Sequence, residues 1–202
     1  MTRKYDASRR EAAAQKTREQ ILDAAFKLHG QGIVDFESLA LEANVSLATV
    51  RKHFPNREIL FENCTAWGLH YAAMPDMEQL AATADPEERF RLTVQQLYGL
   101  YESLFGQLWM SYLHQGESAV AARVLTELEG FVGQVIDLAL SLWAASQSTT
   151  RLVTGLLGFL TYRSLRHAGG LSQDEATTQI TSILLSHLKA RGLETEKEVV
   201  TA

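Results

Sequence analysis

The sequence predicts an all-α protein of about nine helices, and three observations carry that prediction. The 202-residue chain is rich in Ala, Leu, Gln, Glu and Arg and holds only three prolines, so strong helix formers run on with few breaks. Apolar residues recur at three- and four-residue spacing, and no stretch shows the period-two alternation of a half-buried strand. Capping signatures stand ahead of several stripes, among them D-P-E-E at 85–88 and S-x-x-E at 172–175. A chain of this length fits one or two small domains and can bury a real core.

Taken in order, residues 1 to about 8 are polar and are expected to be disordered. Two boxes, Ser8-x-x-Glu11 and Thr17-x-x-Gln20, compete for the start of the first helix. Its stripe is Ile21, Leu22, Ala25, Phe26 and Leu28, and Gly30 and Gly32 end it. Asp35 caps a second helix running to about Asn44, and a short third runs from about Leu47 to His53. Asn56 caps a fourth, which carries Ile59, Leu60, Trp67 and Tyr71 and stops before Pro75. Residues 75–85 form a loop or a short helix. Asp85-Pro86-Glu87-Glu88 starts a fifth helix that reaches about Leu104. A short helix covers Gly106 to His114, and a long one runs from about Glu117 to Trp143. In the long helix Gly130 and Gly133 cost stability, which marks close packing or a bend. SQST at 146–149 is a loop, and after it comes a helix from about Thr150 to His167 that Gly169-Gly170 closes. Ser172 caps the last helix, expected to end near Gly192 ahead of a loose tail, ETEKEVVTA.

The most informative stretch is Leu39 to Phe61, LALEANVSLATVRKHFPNREILF. Ala40 and Ala43 are small enough to let a second helix cross closely. Asn44 sits where the chain turns and, after Gly, is the residue that best tolerates the left-handed conformation. Val45 can plug the junction, and Ser46 suits the N-cap of the next helix. Val50 and Phe54 lie four apart on one face, and Pro55 ends the helix. This is the grammar of a helix-turn-helix, whose second helix enters the DNA major groove.

The same stretch resembles the tetracycline-repressor (TetR) family of bacterial transcriptional regulators. Ala40, Ala43, Val45, Ser46, Thr49, Val50, His53, Phe54, Pro55, Asn56, Glu58 and Leu60 match its pattern, with Arg57 where the family usually has Lys. The resemblance extends back through TREQILDAAFKL, Thr17 to Leu28, and covers about the first third of the chain. It implies a dimeric regulator bound to a pseudo-palindromic double-stranded operator. It further implies a repressor released by a small, largely apolar or aromatic inducer, cytoplasmic and at the nucleoid when bound.

On this reading the DNA-binding residues are Ser46, Leu47, Thr49, Arg51, Lys52, His53 and Arg57. Arg51 is the sharpest base reader, because its fork matches O6 and N7 of guanine. Lys52 and His53 suit the backbone, and Arg57 opens the fourth helix, where a helix N-terminus and a guanidinium together favour phosphate. The family usually has an aromatic where Arg51 stands, often a basic or small residue at Leu47, and often Arg at Glu37, so the base preference is this chain's own. Arg3, Lys4, Arg9, Arg10, Lys16 and Arg18 suit an arm making weak phosphate contacts.

Charge agrees with a DNA-reading head on an acidic body. Residues 1–60 carry 10 Lys/Arg against 8 Asp/Glu, the rest carry 9 against 16, and the net charge is −5. The domain division is therefore placed inside the fourth helix: 1–57 as arm and DNA-binding domain, 58–202 as ligand-binding and dimerisation domain. Cys64, the only cysteine, permits no intrachain disulfide and reads as a packing residue. MTRKYDASRR has no signal-peptide core, and the longest charge-free apolar stretch, Leu152 to Tyr162, is too short to span a bilayer. No membrane partner is expected.

In the body, Trp67, Tyr71, Tyr101, Phe105, Trp109, Tyr112, Trp143 and Tyr162 are the candidate ligand-binding residues, since buried Tyr and Trp need polar partners and suit a largely apolar cavity. His70, Glu102, His114 and Asp137 are candidate polar groups inside. Leu152, Leu156, Phe159, Arg163, Ile180, Ile183, Leu184, His187 and Leu188 are candidate dimer-interface residues. Gly155 and Gly158 would admit a second backbone. No cofactor is implied, no ligand set has metal spacing, and no nucleophile elbow, phosphate loop or paired-His motif occurs. Catalysis is therefore not expected. The alternatives are an all-helical enzyme or ligand carrier with an interaction module at its head, or a DNA binder that needs no ligand.

Overall fold

The computed structural model describes residues 2–200, with side chains for 8–190. Eleven helices and no strand occur among the described residues: α1 (Thr2–Gly30), α2 (Phe36–Glu42), α3 (Leu47–His53), α4 (Arg57–Gly68), α5 (Met77–Ala82), α6 (Pro86–Ser103), α7 (Phe105–His114), α8 (Ala119–Leu140), α9 (Gln147–Leu157), α10 (Phe159–His167) and α11 (Gln173–Val200). The two beyond the expected nine have local causes. Asp76 accepts from the Gln79 amide and so caps α5 within the stretch expected to be a loop or short helix. At Gly158 the backbone is extended (φ −68°, ψ 156°), and the expected single helix breaks into α9 and α10. The Thr161 hydroxyl donates to the Gly155 carbonyl at 3.0 Å across that break.

Helix α1 is continuous from Thr2, in place of the expected disordered leader and a start at Ser8 or Thr17. Neither box caps it. Thr17 instead donates to the Ala13 carbonyl one turn back, and Gln15 bonds Glu19 along the same face. The Arg3 and Lys4 side chains lie outside the described residues. Gly192 does not stop α11, because no helix breaker comes after it. Asp35, Ser46, Asn56 and Asp85 are N-caps as expected, and Ser172 and Glu175 form a reciprocal capping box.

The chain divides into two compact units. The first comprises Met1–Tyr71 and Gly106–Leu125, the second Ala72–Phe105 and Thr126–Ala202. In the first, α1 packs on α2 and α4, and α2 on α3. Its core is Ile21, Leu22, Ala25, Leu39, Ala40, Val50, Phe54, Leu60 and Cys64. Burial pushes the Cys64 thiol up to about 12, so it packs and does not react. Gly106 meets Gly30 backbone to backbone, so tightly that a Cβ on Gly106 would overlap Gly30 itself.

In the second unit α11 packs on α6, α9 and α10. Tyr98, Tyr101, Phe105, Phe159 and Tyr162 form one aromatic cluster, with Tyr98 and Tyr162 centroids 4.4 Å apart. Arg89, 6% exposed, donates to the Ala81, Thr83 and Leu138 carbonyls and so stabilises the C-terminal ends of α5 and α8. Gly130 and Gly133 do not mark close packing within the chain: α8 runs through them, and an added Cβ meets nothing within 4 Å.

Candidate nucleic-acid interface

The turn between α2 and α3 is set by its residues. The Val45 amide bonds the Ala40 carbonyl at 2.9 Å and the Asn44 amide bonds Leu41 at 3.1 Å, a Schellman closure with Asn44 left-handed at φ 51°. Asn44 is the only non-glycine residue with positive φ among those described. Ser46 then caps α3, its hydroxyl accepting from the Thr49 amide at 3.1 Å. Val50 and Phe54, both fully buried, hold one face of α3 against the core. The opposite face is thereby turned outward.

That outward face does not offer all seven predicted residues equally. Arg51, Lys52 and Arg57 are exposed. Leu47 is half-buried and packs against the head core, so it is partly scaffold. Ser46 and Thr49 hydroxyls bond each other at 2.8 Å. His53 is half-buried, and burial, then Lys52 and Arg18, lower its pKa. Arg51 reaches Glu37 of α2 at 3.9 Å, both side chains being largely exposed. Glu37 thus offsets part of the Arg51 charge on this exposed face. Arg51, Glu37, Asp35, Asn56 and Arg57 line one open groove. Arg18 is not part of a free arm. It lies over the Phe54 ring, 5.2 Å from its centroid, and bonds Asn63.

Helix α4 is tied to the rest of its unit by contacts the sequence did not show. Asp23 of α1 accepts from both Trp67 Nε1 and the Tyr71 hydroxyl at 2.8 Å, and Tyr71 stacks on Phe26. Glu58 accepts from the Ser118 hydroxyl at 3.1 Å and the Val120 amide at 3.3 Å, so it caps the N-terminus of α8. Glu62 pairs with Arg123 one turn on. Only Asp23, inside an otherwise apolar stripe, gave any signal in the sequence.

The eight candidate ligand-binding aromatics fall into two groups. Trp67, Tyr71, Trp109 and Tyr112 belong to the first unit, the first two spent on Asp23. Tyr101, Phe105, Trp143 and Tyr162 belong to the second. Tyr101 and Tyr162 are fully buried there, and the Tyr162 hydroxyl donates to Glu102. Arg166 grips the same carboxylate at 2.8 and 3.1 Å and holds its pKa below the usual range. The Tyr98 hydroxyl and Trp143 Nε1 are buried with no hydrogen-bond partner among the described residues. Of the four polar candidates, Glu102 and His114 are half-buried, whereas His70 and Asp137 are exposed.

The nine dimer candidates also divide. Phe159, Ile180, Leu184 and Leu188 are buried within the chain itself. Leu152 and Ile183 are exposed, and Leu156, Arg163 and His187 are half-buried.

Neither a protein-family model nor a curated protein sequence matches the chain. Solved structures do. A TetR-family transcriptional regulator from Streptomyces coelicolor superposes with a TM-score of 0.64 at 15% identity, covering 93% of this chain and 86% of its own. The fold is that of the TetR-type regulators. A TetR-like regulator from Rhodococcus sp. RHA1 gives 0.60 at 16% identity over 86% and 96% of the two chains. A transcriptional regulator from Saccharomonospora viridis, solved in complex with choline, gives 0.66 at 16% identity over 84% and 96%. Among the described residues no helix is long and apolar enough to cross a membrane.

Proposed function

We propose that the protein is a sequence-specific DNA-binding transcriptional regulator, a homodimer on a pseudo-palindromic operator, and a repressor that a small ligand releases. The observation that carries this reading is the α2–α3 pair. Asn44 and Ser46 set its turn and cap, Val50 and Phe54 fix one face inward, and Arg51 and Lys52 stand outward with Arg57 beside them. The likeness to regulator folds supports it. Residues 1–57 form the DNA-reading part and 58–202 the ligand-binding and dimerising part, and the complex works in the cytoplasm at the nucleoid.

Within this reading Arg51 reads a base, Lys52 and Arg57 take phosphates, and Ser46, Leu47, Thr49 and His53 pack or bond along the same strand. Exposed Leu152 and Ile183 on α9 and α11, with half-buried Leu156, Arg163 and His187, form the self-complementary surface of a two-fold dimer. The inducer lies in the second unit, which holds Tyr101, Phe105, Trp143 and Tyr162, and in which the Tyr98 hydroxyl and Trp143 Nε1 are donors with no partner among the described residues.

The test is a mobility shift on the DNA upstream of the protein's own gene across a salt series. The reading requires a specific complex whose affinity falls steeply with salt and which Arg51→Gln abolishes. A well-folded dimer with no preference over random duplex overturns it.

A further inference from the structure

A second cavity lies within the first unit, next to the DNA-reading groove. It measures about 110 Å³ and is walled by His29, Val34, Arg57, Leu60, Phe61 and His114, with Glu58, Glu117 and Ser118 along the same lining. An engineered apolar cavity of about 150 Å³ holds benzene, so this space admits a molecule of at most about one ring. One wall is apolar: Val34, Leu60 and the Phe61 ring, on which His29 stacks with centroids 5.9 Å apart.

The polar groups are oddly idle. His29 is only 6% exposed, yet neither ring nitrogen has a hydrogen-bond partner among the described residues. Burial, then Arg57 and His114, lower its pKa to about 4, so the imidazole is neutral at pH 7 and has a donor and an acceptor to offer. Arg57 donates to the Val34 carbonyl at 3.5 Å, which is too long for a strong bond. No carboxylate lies within 4 Å of that guanidinium among the described residues. Two acids line the cavity itself and both are engaged: Glu58 caps α8, and Glu117, 85% exposed, faces His114 at 3.9 Å; Asp35, whose ionised form Arg57 also favours, caps α2.

We propose that this cavity binds a small monocarboxylate with a short apolar or single-ring body. Its carboxylate takes the Arg57 fork, and its body lies on Val34, Leu60 and Phe61 beside the His29 ring. A guanidinium in no ion pair among the described residues, beside an apolar slot and an imidazole with no hydrogen-bond partner among them, is complementary to that chemistry. Arg57 also lines the open groove with Arg51. An occupied site therefore withdraws Arg57 from phosphate and weakens operator binding. The site itself stands without the DNA reading; only this consequence rests on it.

The experiment titrates the full-length protein with benzoate, and with benzamide as its uncharged counterpart, by calorimetry and amide NMR. Saturable benzoate binding is expected, with shifts at Val34, Arg57 and Phe61 and benzamide weaker by at least about tenfold. Arg57→Gln should lose at least about tenfold, and Val34→Phe, which fills the slot, should abolish binding while helical circular dichroism is kept. On operator DNA, benzoate should lower affinity and reduce the salt slope by about 0.9, one phosphate contact. No saturable binding, equal binding of benzamide, full binding by Arg57→Gln, or shifts confined to the Tyr98–Tyr162 region would overturn the site. Benzoate binding with unchanged operator affinity overturns the regulatory consequence. Absence of any DNA binding refutes the DNA reading, while the benzoate isotherm still decides the site.

Discussion

Glu37→Gln should tighten operator binding. The native Arg51–Glu37 pair is 3.9 Å apart with both side chains more than half exposed. In water-like dielectric two charges at that distance attract by about 1 kcal/mol. Screening and the entropy of holding two long side chains leave about 0.5 kcal/mol for an exposed pair. Removing the carboxylate returns that amount to Arg51 when it turns toward a base. It also removes repulsion from phosphates about a Debye length away, worth a few tenths of a kcal/mol more. The sum is about 0.5–1 kcal/mol, a two- to fivefold gain in affinity. Fluorescence anisotropy on a labelled operator at fixed salt measures it. Arg51→Gln alone should lose about 1–3 kcal/mol. In that background Glu37→Gln should keep only its small repulsive part. If Glu37→Gln weakens binding, Glu37 contacts the DNA itself, by accepting from a cytosine amine or by holding Arg51 in its reading pose, and it does not compete with the DNA for Arg51.

Three further outcomes are expected. His29 protonates near 6.5 when unfolded but not until about 4 when folded. Its contribution to stability is therefore complete above pH 6.5 and is lost on acidification, by about 2 kcal/mol at pH 5; urea midpoints should show that slope, and His29→Gln should flatten it. Gly106→Ala forces a Cβ into the Gly30 backbone and should cost about 1–3 kcal/mol or more, whereas Gly130→Ala, facing open space, should stabilise by about 0.5–1 kcal/mol. Ser46→Ala removes the bond to the Thr49 amide and should lower the thermal midpoint by the equivalent of about 1 kcal/mol in scanning calorimetry.

What the sequence revealed was what neighbours along the chain decide. Asn44 at the turn, Ser46, Asp35, Asn56 and Asp85 as caps, and Val50 with Phe54 turned inward are all set within about one helical turn. The break at Gly158 was nearly readable from two glycines in four residues, but such a pair suits close helix packing equally well. The contacts that build the site were out of reach, because they join residues 44 to 81 positions apart: Arg18 to Asn63, Asp23 to Trp67, Glu58 to Ser118, Gln107 to the Phe26 carbonyl. Periodicity also could not say which partner a stripe meets. Ile180, Leu184 and Leu188 share a face with Ile183 by spacing, yet three are buried within the chain and one stands exposed. Aromatic content likewise marked Trp67 and Tyr71 without showing that Asp23 occupies both.

The most direct test of the central claim is selection of bound sequences from a random duplex pool by the full-length protein, and then the salt dependence of the winner. The account predicts an inverted repeat with half-site centres about one helical turn, about 34–36 Å, or a multiple of it apart, lost when Arg51 is replaced by Gln. Enrichment of no sequence, or of one that Arg51→Gln selects equally well, would contradict it.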